Sequence, residues 1–118
     1  MKIYVAHSSG FDYQSELYQP LRELMSEERE FIFPHDREVI DKTDSIIKDC
    51  DLFLAEVSYP STGMGIEMGW ADAAGVPIVC VYKKGSSVSP ALRCMTDNFV
   101  EYSNLEDLKA KVDKLVKS

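Results

Sequence analysis

Three scarcities bound this 118-residue chain before any motif is considered. Cysteine is scarce. Cys50, Cys80 and Cys94 are odd in number, widely spaced and in no CxxC arrangement, which points to neither a disulfide framework nor a zinc site. Positive charge is scarce as well: 13 Lys and Arg against 20 Asp and Glu leave a net charge of -7. That balance argues against a surface that tracks a DNA or RNA polymer, whose affinity comes from many Lys and Arg contacts. A small anionic ligand stays open, because one helix N-terminus can hold one phosphate. Long apolar runs are missing, so no membrane partner is expected. The opening MKIYVAHSSG turns polar too soon for a signal peptide, and the cytoplasm is the expected compartment.

Enough apolar material remains for a core. With 45% hydrophobic and 28% charged residues, residues 1–118 are expected to fold as one globular domain without metal or disulfide. Lys2–His7 (KIYVAH) reads as a buried strand stopped by Ser8-Ser9-Gly10. Tyr13–Glu28 carries Leu17, Leu21, Leu24 and Met25 at helical spacing, with Pro20 expected to kink it or displace its start. Glu30–Phe33 is predicted as a second strand and Glu38–Cys50 as a second helix. Asp51–Val57 forms a third strand, a helix begins at about Gly63, and Pro77–Tyr82 forms a fourth strand. A short helix around Ala91–Met95, a strand Asn98–Tyr102 and an amphipathic helix capped by Ser103 or Asn104 complete the chain. This alternation predicts an α/β class, a flavodoxin/Rossmann-like doubly wound sheet of five parallel strands in the order 2-1-3-4-5.

Such sheets bind ligands at the carboxyl ends of the strands, where the strand order reverses. For this order that point lies between strands one and three. It gathers Tyr4, His7 and Ser8, then His35 and Asp36, then Ser61 to Glu67. Ser61 and Thr62 can donate hydroxyls, while Gly63 and Gly65 let an anion approach the free N–H groups of a helix start. Either hydroxyl serves equally as a plain N-cap. Glu67 is expected in the first turn of this helix, inside a wide apolar arc. Ile66, Trp70, Ala73 and Ala74 flank it on one side, and Met64, Met68 and Ala71 on the other. Two readings fit it: a complement to the positive helix end, or a reactive carboxylate. One apolar flank packs on the sheet, and the Met64 and Met68 flank is expected to need a second cover. A homodimer partner or the loop after strand four would supply that cover. His7 and His35 either assist in the pocket or satisfy loop hydrogen bonds, and the second reading is favoured because no spacing pairs either with Glu67.

The segment AEVSYPSTGMGIEMGWA, Ala55 to Ala71, resembles the signature of the nucleoside 2-deoxyribosyltransferase-like superfamily, and most of all its 2′-deoxynucleoside 5′-phosphate N-hydrolases. The likeness extends to IYVAHSS at the start and to VSPAL after strand four. It implies an N-glycosidase in which Glu67 attacks the anomeric carbon and Tyr4 orients it. It further implies that Ser8 and Ser61, with Gly63 and Gly65, hold a phosphate. Ser89 is implied to reach the neighbouring subunit's site. Asp44, displaced by one residue, is the helper acid, with Asp41 as the fallback. The chain departs from the pattern at Gly10-Phe11-Asp12, where the phosphate hydrolases carry an arginine. Lys83, Lys84 or Arg93 either compensate or are ordinary surface charges. The expected function is hydrolysis of the N-glycosidic bond of a 2′-deoxyribonucleoside or its 5′-monophosphate. Base exchange by deoxyribosyl transfer and a non-catalytic nucleotide-binding or sensor module are the alternatives. A nucleoside or nucleotide and a second copy of the chain are the implied partners, with no cofactor and no metal.

Overall fold

The computed structural model describes residues 1–36 and 43–117. Five strands, β1 (Lys2–His7), β2 (Glu30–Ile32), β3 (Leu52–Glu56), β4 (Ile78–Lys83) and β5 (Phe99–Tyr102), form one sheet in the order β2-β1-β3-β4-β5. Every pairing is parallel, with Tyr4 opposite Phe53 and His7 opposite Glu56. The predicted class and strand order are those observed. The helices are α1 (Gln19–Arg22), α2 (Asp44–Lys48), α3 (Thr62–Ala73) and α4 (Leu105–Leu115). Asn104 caps α4 by accepting from the Asp107 N–H at 2.8 Å. Among the described residues no helix is long and apolar enough to cross a membrane.

The apolar strands are buried on both faces, and residue parity sorts their side chains between two cores. Ile3, Val5, Leu52 and Leu54 pack with Leu17, Leu21, Leu108 and Val112 on the α1/α4 side. Tyr4, Ala6, Phe53 and Ala55 pack with Ile47, Met64 and Met68 on the α2/α3 side. Parity therefore decides which strand residues can meet helix α3.

Three expectations need correction. The helix predicted over Tyr13–Glu28 is a π-helical turn, Gln14–Tyr18, running into the short α1. Pro20 has no N–H to return to residue 16, and its ring crowds that carbonyl, so the ladder opens just before it. The Gln19 N–H reaches Gln14 O instead. The acidic SEERE segment lies beyond that helix, in a turn closed by Ser26 pairing with Arg29. Of the second predicted helix, only Asp44–Lys48 is helical among the described residues, and 37–42 lie outside them. The two flanks of α3 are also reversed. Met64 and Met68, 4% and 1% exposed, lie on the sheet, while Ile66 is 52% exposed.

His7 illustrates how the loops at the carboxyl edge are tied. Its Nδ1 lies 2.7 Å from Ser8 O and must donate, because a carbonyl only accepts. Its Nε2, 2.5 Å from the Tyr18 hydroxyl, therefore accepts, and the Tyr18 oxygen in turn accepts from the His35 N–H at 3.3 Å. Burial lowers the His7 pKa to about 4, opposed by the Ser8 carbonyl and aided by His35. Below pH 6.5 the unfolded chain takes up a proton that the native imidazole refuses until about pH 4. Stability is thus expected to fall by about 3 kcal/mol as pH drops through this window and to level off below it. Urea unfolding at pH 7, 5.5 and 4.5 measures the slope, and His7→Gln should flatten it. Equal slopes in both proteins would contradict the assignment.

Candidate active site

Helix α3 begins where β3 ends and the chain turns through Ser58-Tyr59-Pro60. Ser61, in extended conformation, is its N-cap and accepts from the Met64 N–H at 3.2 Å. Counted from Thr62, Glu67 falls in the second turn, not the first, and no acidic residue occupies the first turn. The helix dipole acts on charges within the first turn, so that reading of Glu67 loses its basis. Three glycines in a helix of this length are each costly by about 1 kcal/mol relative to alanine. A Cβ at Gly65 or Gly69 would meet nothing within 4 Å, so packing inside the chain does not require them. Both leave backbone open to something that approaches from outside.

Glu67 is half-buried and held from two elements. The Tyr4 hydroxyl, from the middle of β1, donates to its Oε2. The Thr43 hydroxyl, just before α2, donates to the same oxygen at 3.1 Å. Tyr4 is fully buried and stacked on Phe53 with centroids 5.5 Å apart, so its phenol is fixed in place. Burial, then the hydrogen bond and charge of Glu67, push the Tyr4 phenol far above its ordinary range, with Thr43 acting in the opposite direction. At neutral pH it remains a donor.

The other expected residues form separate groups. Ser61, Thr62, Gly65, Ser87 and Ser89 line an open cavity of about 290 Å³ together with the apolar Val57, Met64 and Leu92. Ser89 thus stands beside the Ser61 of its own chain. Gly63, in the first turn of α3, would bring a Cβ to 4.0 Å from Ser61 Oγ. Ser8 is buried at the end of β1, and its Oγ accepts from the Gly10 N–H at 3.0 Å. A Cβ on residue 10 would come to 3.3 Å from that oxygen, so Gly10 suits the tight turn in which the arginine is missing. Asp44 begins α2, next to Thr43, whose hydroxyl reaches Glu67. Asp41 lies outside the described residues. Lys83 is engaged with Glu16 at 2.6 Å and the Tyr59 hydroxyl at 3.0 Å, and Arg93 lies over the Phe99 ring at 4.7 Å.

Two features were missed in the sequence. Thr43 carried no motif, and only its place beside Asp44 pointed to it. Glu56 stood in plain view as the one charge ending an apolar strand. It is 1% exposed and accepts from the Ser58 N–H at 2.6 Å, the Ser58 hydroxyl at 3.0 Å and the Tyr102 hydroxyl. By parity with Leu52 and Leu54 it belongs to the α1/α4 face, opposite Glu67. The two carboxylates therefore do not form an acid–base pair across one substrate.

A doubly wound parallel sheet with a hydroxyl-tethered glutamate on the helix after β3, and a serine-lined cavity at that helix's start, make this a small α/β protein with its candidate site at the strand carboxyl ends. Residues 3–106 match the family described as nucleoside 2-deoxyribosyltransferase, and the chain belongs to that family. A protein of Thermofilum pendens, named as a candidate 2′-deoxynucleoside 5′-phosphate N-hydrolase, is 33% identical over 85 residues, 68% of this chain and 59% of that protein. The chain spans about half the length of the curated relatives it matches. A CMP N-glycosidase from Clostridium botulinum superposes with a TM-score of 0.67 at 24% identity, covering 96% of this chain and 99% of the other. A 2-desoxiribosyltransferase from Leishmania mexicana superposes at 0.68 and 19% identity, covering 98% and 99%. At these identities the two structures speak to the fold.

Proposed function

We propose that residues 1–118 form one catalytic domain that cleaves the N-glycosidic bond of a 2′-deoxyribonucleoside or its 5′-monophosphate. Glu67 is the nucleophile of this reading. The observation that carries it is the half-buried Glu67 carboxylate with Oε2 held by Tyr4 and Thr43. An oriented carboxylate beside an oxocarbenium-like carbon stabilises the developing charge and then forms the sugar ester. Water resolves the ester. The hydroxyls of Ser61, Thr62 and Ser89 supply donors for the sugar or its phosphate in the cavity at the start of α3, where Gly65 leaves room for close approach. Gly63 adjoins Ser61, Ser8 at the end of β1 is the further phosphate-binding candidate, and Asp44, adjoining Thr43, is the candidate for protonating the departing base.

The test is a panel of nucleosides and nucleotides assayed for free base, with and without an acceptor base. Release without acceptor supports hydrolysis. Deoxyribosyl transfer is the second reading, favoured by Gly10 at the place of the arginine and by the family's description. Exchange that requires acceptor establishes it instead. Saturable nucleotide binding in calorimetry with no base released from any substrate would overturn both and leave a binding module.

A second copy of the chain is part of the proposal. Ile66 is exposed, Trp70 is partly so, and Gly69 lies open beside them on α3. Pairing through this face would cover the stripe and bring two sites close together. Sedimentation should show a dimer that Ile66→Glu converts to monomer. A fully active wild-type monomer would contradict the assembly.

A further inference from the structure

Thr43 occupies the N-cap position of α2 yet makes no side-chain capping bond. A threonine there normally accepts from an N–H of the first turn and so stabilises the helix start. This one gives its hydroxyl to Glu67 at 3.1 Å. Its backbone, at φ -93 and ψ 0, also lies outside the extended conformation usual for a cap. The helix start is thus set to serve Glu67 and not its own orphan N–H groups.

Tyr4 and Thr43 both donate to Oε2, and among the described residues neither hydroxyl reaches Oε1. We infer that Thr43 is a positioning residue that, with Tyr4, ties down Oε2 and so makes Oε1 the attacking oxygen. This rests on Glu67 being the nucleophile, as proposed above. Oε1 forms the bond to C1′ as the C1′–N bond breaks. The bonding pair leaves with the base, which takes up a proton from Asp44, the candidate acid above, and Asp44 is reprotonated from solvent. Oε2 becomes the carbonyl oxygen of the ester and keeps both donors. When water attacks C1′, the C1′–Oε1 bond breaks, the carboxylate reforms, and the water's proton returns to solvent. The same two hydroxyls stabilise the charge that comes back to the departing carboxylate.

The assignment separates orientation from binding. Thr43→Val keeps the shape and removes the hydroxyl. It is expected to lower kcat about 10- to 100-fold with KM changed by less than about twofold. Thr43→Ser restores the hydroxyl and is expected to recover kcat to within about threefold of wild type. Because the side chain caps nothing, the thermal midpoint of Thr43→Val should stay close to wild type. A Val variant at wild-type kcat would overturn the role. So would Val and Ser variants that are equally slow, since that pattern reports lost packing and not a lost donor. Glu67→Gln in the same assay separates the failures. An inactive Glu67 variant beside a fully active Thr43→Val sinks only the positioning role, whereas an active Glu67→Gln sinks the nucleophile and this inference together. A crystal structure of the trapped ester should show its carbonyl oxygen accepting from both Tyr4 and Thr43.

Discussion

Glu67→Gln is expected to abolish base release, by on the order of 10⁴-fold or more in kcat, while the chain stays folded. Glutamine keeps the size of the side chain, and its carbonyl oxygen still accepts from Tyr4 and Thr43, so neither hydroxyl is orphaned. The change removes only the anionic oxygen that would bond to the sugar. A purely structural glutamate would behave otherwise. Losing the charge at a half-buried, twice hydrogen-bonded site would lower stability and leave turnover per folded molecule unchanged. Thermal unfolding and base release measured on one preparation distinguish the two.

The second large effect lies on the other face of the sheet. Glu56→Ala is expected to destabilise the fold by about 4 kcal/mol, lowering the melting midpoint by roughly 15 °C. The carboxylate accepts from the Ser58 N–H, the Ser58 hydroxyl and the buried Tyr102 hydroxyl, and its loss leaves these donors unpaired in the core. Burial and the neighbouring Glu56 push the Tyr102 phenol far above its ordinary range, so it stays a donor at any physiological pH. The Ser58 oxygen also accepts from the Lys83 N–H at 2.8 Å, which couples the turn after β3 to the end of β4. Glu56→Gln retains an acceptor and should cost far less. Because Glu56 faces away from Glu67, its glutamine variant should keep kcat within a few-fold of wild type. If Glu56→Gln stopped base release at an unchanged melting midpoint, the division of the two carboxylates between faces would be wrong.

Sequence and structure agree most where periodicity and local chemistry point the same way. The strands were legible because apolar residues run nearly unbroken through Lys2–His7, Leu52–Glu56 and Ile78–Lys83, and turn residues separate them. The order followed from the alternation with helices. The first helix misled, because Leu24 and Met25 continue a helical spacing that the chain abandons after Arg22. Which flank of α3 meets the sheet was not legible either. Both flanks are apolar, and only the crossing of the helix over β1, β3 and β4 selects Met64 and Met68 over Ile66. Within the site, the Ser61 cap follows from a hydroxyl residue standing just before the helical segment, and the Tyr4–Glu67 contact was implied by the family resemblance. Thr43 does not, because its partner lies 24 residues away and α2 gives no pattern that would fix a single hydroxyl.

A sugar ester on Glu67 can be caught by covalent trapping. A substrate analogue with fluorine at C2′ destabilises the oxocarbenium-like transition state and slows release of the ester, so the intermediate accumulates. After incubation and acid quench, mass spectrometry of the digested protein should find one fluorinated sugar, or its 5-phosphate, on the peptide containing Glu67. Glu67→Gln should carry none. Steady base release from the analogue with no adduct on any peptide, or an adduct on a residue other than Glu67, would contradict the account.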